Sequence, residues 1–120
     1  MNSYWSIPED IKAGWAKVTP QIQEFATRNG GRLLTFQFVC LSGIVQQAVE
    51  PMASPMEPIS QNIQASRSYT WWQVIRALQR ESSQMNGRGL IQVSILVSAQ
   101  GEPILWTRPM VSGMMRVERD

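Results

Sequence analysis

The chain has 120 residues with eleven basic and nine acidic side chains, a formal charge of +2, one cysteine and no histidine. That length makes one domain, able to withdraw roughly two-thirds of its unfolded surface from water. The missing imidazole closes Ser-His-Asp and Cys-His catalysis and histidine ligation of zinc, and a lone cysteine, Cys40, permits no intrachain disulfide.

No apolar run approaches the roughly 20 residues that span a bilayer, and MNSYWSIPED lacks a basic segment followed by an apolar one. A soluble, cytoplasmic protein is therefore expected. Ser6-Ile7-Pro8-Glu9 predicts a helix start, with Ser6 as cap, Glu9 completing a capping box and Pro8 in the first turn. Ile11, Trp15, Val18, Ile22 and Phe25 then form one stripe of 3.6-residue period. Pro20 interrupts the segment behind Thr19, and because the stripe keeps its phase a single kinked helix is favoured over two. Asn29-Gly30-Gly31 supplies a left-handed stop.

From Arg32 to Leu41 the period changes to two: Leu34, Phe36, Phe38 and Cys40 alternate with Thr35 and Gln37, which predicts a strand. Ser42-Gly43 reads as a tight turn and Ile44 to Val49 as the return strand. Residues 51 to 68, with three prolines and four serines, read as a long surface connection. A second helix is expected over Tyr69 to Met85, its apolar stripe Trp71, Val74, Ile75, Leu78 and Met85 lying opposite Arg76 and Arg80. Asn86-Gly87 ends it. The stretch GLIQVSILVSAQGEPILWTRP, Gly89 to Pro109, is the clearest hairpin in the chain: Ile91, Val93, Ile95 and Val97 alternate with polar residues, and Gly101 closes a three-residue loop. Pro109, which has no N–H, is expected to end the ladder. Val111 to Asp120 reads as a short added strand or a tail.

The halves echo one plan. At an offset of 57, Leu34, Phe36, Phe38 and Cys40 fall on Ile91, Val93, Ile95 and Val97, an echo that internal duplication and convergent patterning explain equally well. The predicted fold is a two-layer α+β domain, a four-stranded antiparallel sheet with two helices on one face, in the order αββ-αββ. Leu33, Val39, Leu41, Leu90, Leu96 and Leu105 would then point away from the helices, among Thr35, Gln37, Gln92, Ser94 and Ser98. Such a patch is covered either by the 51 to 68 loop or the tail, or by a second subunit, and pairing of two subunits is favoured.

The chemistry-bearing residues are sparse. Arg76 and Arg80 stand one helical turn apart, with Arg67 before the helix and Arg88 after it, and Trp72 or Tyr69 beside them would stack on bases; a solvated polar face is the competing account. Trp15 and Trp71 belong to the core stripes, while Trp5, Trp72 and Trp106 are interface candidates. Carboxylates are scattered, and the one pair near strand ends, Glu50 and Glu102, makes a poor metal site. No cofactor or metal is expected. The composition favours a non-enzymatic interaction or assembly protein, self-associating through the second sheet face or a strand edge and using Leu33, Val39, Leu41, Leu90, Leu96, Leu105 and Trp106. The alternative is a nucleic-acid-binding accessory protein that uses Arg67, Arg76, Arg80, Arg88 and Trp72. An enzyme acting through carboxylates or Lys12 and Lys17 is the least favoured.

Overall fold

In the computed structural model, which describes residues 6–55 and 70–112, the chain runs α1 (Glu9–Arg28), β1 (Leu33–Leu41), β2 (Ile44–Ala48), β3 (Met52–Ala53), α2 (Trp71–Ser82), β4 (Arg88–Val97), β5 (Pro103–Trp106) and β6 (Met110–Ser112). It is an α+β fold whose antiparallel sheet has six strands, not the expected four, and each half is helix followed by three strands. The two extra strands are short continuations. β2 and β3 lie end to end along one edge of β1, and β5 and β6 lie end to end along the outer edge of β4. Val49-Glu50-Pro51 and Thr107-Arg108-Pro109 interrupt the two edges without ending them, because a proline on an edge interrupts the chain's own ladder while the residues beyond it pair again. Pro109 is thus a break within the edge, and the segment beginning at Pro51 starts as a strand before it leaves the described residues.

β1 and β4 form the centre. They pair antiparallel over their whole lengths, from Leu33 opposite Leu96 to Leu41 opposite Arg88. In that register Phe36 faces Val93, two residues separated by the same 57 positions that relate the halves, so a local two-fold of the strand register passes between them. The edge strands follow it: the register slips between Val39 and Cys40 in the first half and between Leu96 and Val97 in the second.

One face of the sheet carries the core. Leu34, Phe36, Phe38, Cys40, Ile91, Val93, Ile95 and Val97 are buried together with Ile11, Trp15, Val18, Ile22, Val74 and Leu78 of the helices. Trp15 packs edge-on against Phe38, ring centroids 4.9 Å apart, and its indole N–H donates to Ser82 Oγ at 2.9 Å, tying α1 to α2 through one buried polar contact. Ser82 in turn donates to the carbonyl of Gln79 at 3.1 Å.

The first helix stops at Arg28 before Asn29-Gly30-Gly31 as expected, but the helix starts differ from expectation. α1 begins at Glu9 with Pro8 as its cap residue and no side-chain cap, so Ser6 does not serve. Instead the Pro8 carbonyl accepts from the amides of Ile11 and Lys12. α1 passes Pro20 as one helix, and Thr19 Oγ1 donates to the Trp15 carbonyl one turn back. α2 has the capping box: Thr70 accepts from the Gln73 amide and Gln73 returns a bond to the Thr70 amide. The turn at Ser42-Gly43 holds both residues left-handed, φ 49° and 89°, the type I′ geometry that suits a two-residue hairpin. A Cβ on Gly43 would meet the Ser82 carbonyl at 2.4 Å, so the hairpin tip also needs glycine to lie against the end of α2.

Candidate interaction surface

Residues directly opposite one another in a sheet point to the same side, so the register defines the face turned away from the helices. Across it run Leu105, Leu96 and Leu33; then Ser94, Thr35 and Met52; then Met110, Gln92 and Gln37; then Ser112, Leu90, Val39 and Gln47. Leu41 and Arg88 close the far corner. Leu33, Leu41, Met52, Leu105 and Met110 are exposed by 48 to 67%, which places on this face five of the seven exposed large apolar side chains among the described residues. Val39, Leu90 and Leu96 are half-buried between their neighbours.

The distribution within the face is ordered. Leucines occupy both ends, and a polar belt of Thr35, Gln37, Gln92 and Ser94 crosses the middle. Gln37 Nε2 donates to Gln92 Oε1 at 2.7 Å, a cross-strand amide pair that partly satisfies both side chains. Apart from Arg88 at the corner, none of the side chains that the register puts here is charged. Among the described residues no helix lies over it, and none is long and apolar enough to cross a membrane.

No known protein family, curated protein or solved structure matches the chain.

The other sequence candidates fall elsewhere. Trp106 stands opposite Ile95, on the helix side, where it packs against the core near Ala77 and Glu81 of α2. It does not join the leucines. Successive residues of a strand point to opposite faces, so with Leu105 on the open face its neighbour Trp106 is turned toward the helices. Arg76 and Arg80 are exposed on α2, with the Arg76 guanidinium 5.0 Å from the centroid of the exposed Trp72 ring. Arg88 opposes Leu41 on the open face of the sheet, so it projects to the other side of the molecule from Arg76 and Arg80. Arg67, Tyr69 and Trp5 lie outside the described residues. Beside Arg80, Glu81 accepts from Arg108 at 3.0 Å, which sets an ion pair into the same helix flank. Trp71 donates its indole N–H to the Gly101 carbonyl at 3.1 Å and so pins the second hairpin loop to the start of α2.

The Cys40 side chain is fully buried and its thiol is pushed up from 9.0 to about 11 by desolvation, so it stays protonated near neutrality. Among the described residues no three Cys, Asp or Glu side chains gather as a metal site would require. The two residues missed by sequence reasoning are Met52 and Met110. They extend the apolar face at equivalent places on the two edges, opposite Thr35 and Gln92. The signal for them was short, a two- or three-residue strand beside a proline.

Proposed function

We propose that the protein is a non-enzymatic assembly protein that pairs with a second copy of itself through the open face of its sheet. The observation that carries this reading is the concentration of exposed leucine and methionine on one uncharged face. Exposed apolar side chains concentrated on one face are costly to leave in water and are characteristic of contact surfaces. Three features favour a like partner. Apart from Arg88 at one corner the face lacks charge, so two copies meet with little like-charge repulsion. Its apolar ends and polar belt come into register with themselves about any two-fold axis that runs in the interface along or across the strands. Its size also fits: ten residues of β4 and four strand widths give a projected area of roughly 600 Å², and the accessible surface of a corrugated face exceeds its projection, approaching the about 800 Å² per partner of an ordinary specific interface. The assembly would be two sheets about 10 Å apart with helices outermost.

The test is the mass of the particle by light scattering and sedimentation from about 1 to 100 µM. A dimer that Leu33→Glu and Leu105→Glu convert to monomer, with unchanged far-UV circular dichroism, is the expected result. A wild-type monomer throughout that range would overturn the proposal. Titration with single-stranded and duplex DNA at low salt separates it from the arginine-based alternative, since phosphate contacts weaken steeply as salt rises.

A further inference from the structure

We infer that the space between α1 and β2 is a binding pocket for a small aromatic amine, with a one- or two-ring body held in the apolar base and a cationic group at the rim. The inference rests on the residues that line this space, where the two halves carry different side chains. In the first half Ala48 stands opposite Phe38; in the second, Trp106 stands opposite Ile95, and Phe38 and Ile95 are the residues that the 57-residue offset superposes. Both edge residues face the helix of their own half. Trp106 is half-buried against the core and lines, with Ala77 and Glu81 of α2, a separate opening of about 450 Å³. Ala48 has only a methyl group to offer, and beside it lies a pocket of about 250 Å³.

The larger Phe36 and Phe38, in place of Val93 and Ile95, do not close that space. They form its floor with Val18, Ile22 and Phe25, and the Phe25 ring stands edge-on to Phe36 with centroids 5.8 Å apart. A floor of three phenyl rings and two branched aliphatics favours a flat aromatic guest, which such rings meet edge-on or in offset stacks. The volume is below that of drug-sized sites and suits one or two rings; an engineered apolar cavity of about 150 Å³ already takes benzene. The rim supplies the charge preference. Glu24 and Glu50 bring two carboxylates against one guanidinium, Arg28, which lies 3.9 Å from Glu24. The net negative mouth favours an ammonium group over a carboxylate. The pocket opens on the helix side, so pairing through the other face of the sheet would leave it accessible, and the two proposals stand or fall separately.

Amide chemical shifts followed while the full chain is titrated with tryptamine, indole and indole-3-acetate test the inference. Saturable shifts at Phe36, Phe38, Ala48 and Val49 are expected, with dissociation constants of about a millimolar or tighter for indole. Tryptamine should bind a few-fold tighter than indole-3-acetate at low salt. Ala48→Trp, which puts an indole into the space, should abolish the shifts and raise the thermal midpoint; should it fail to fold, Ala48→Leu serves, with binding weakened at least tenfold. Absence of saturable binding, or equal binding by the filled variant, overturns the site, and tighter binding of indole-3-acetate overturns the amine assignment.

Discussion

At the scale of single residues, the contact between Trp15 and Ser82 is the one most exposed to a small change. Both side chains are fully buried, and the serine hydroxyl satisfies the indole N–H while its own proton goes to Gln79. Ser82→Ala removes the acceptor and leaves a buried donor unpaired, at a cost of about 1–3 kcal/mol, whereas Ser82→Thr keeps the hydroxyl; urea unfolding of the two variants measures the difference. Cys40 provides a second test at this scale. Its thiol titrates near 11 when folded and near 9.0 when unfolded, so between those values the unfolded chain has already lost the proton that the folded chain keeps. Stability therefore falls as pH rises from about 9 to 11, by about 2–3 kcal/mol in all. Wild type minus Cys40→Ala, compared at matched pH, isolates that loss from the lysines and tyrosines that titrate nearby. A slope difference of zero would mean that water reaches the thiol. Trp15 and Cys40 were both legible as core from their place in apolar stripes. Ser82 was not: it occupies a stripe position with a polar side chain, and only the partner across the helix pair explains why.

Among elements, helices and central strands followed from periodicity, and their ends did not. Leu34, Phe36, Phe38 and Cys40, and likewise Ile91 to Val97, announce strands because a sheet buried on one face demands a period of two. The start of α1 misled because Ser6-x-x-Glu9 has the form of a capping box, while the rigid extended backbone of Pro8 already presents its carbonyl to the first free amides. At α2 the box is real and belongs to Thr70 and Gln73. Thr70→Ala should cost about 1 kcal/mol, read as a lower thermal midpoint, with Thr70→Asp restoring it. β3 escaped sequence reading, and β6 entered it only as one of two alternatives from Val111 onward, for a different reason. Two or three residues carry no measurable alternation, and each is a strand only because β1 and β4 extend far enough to offer a second partner on the same edge.

For the molecule as a whole, the leucine face was legible once the helices had been assigned to one side, since alternation then fixes which residues point the other way. The part played by Met52 and Met110 required the register, whereas Trp106, next to Leu105, is turned behind the sheet by alternation alone. The lack of charge on that face makes a further expectation of the proposed dimer: its dissociation constant should change by less than about threefold between 50 and 500 mM salt, because there is no Coulombic attraction to screen. Sedimentation at the two salt concentrations checks it, and a steep dependence would point to the arginines instead. The pairing of β1 with β4 has a kinetic consequence. The two middle ribbons come from opposite halves of the polypeptide, Leu33 meeting Leu96, so the seam between the halves forms only after a long stretch of chain has been drawn into a ring, and entropy resists that closure before any contact repays it. Refolding should accordingly take milliseconds to seconds, and trimming Phe36 or Val93 at the seam should retard it, whereas trimming Leu105 at the rim should chiefly hasten unfolding.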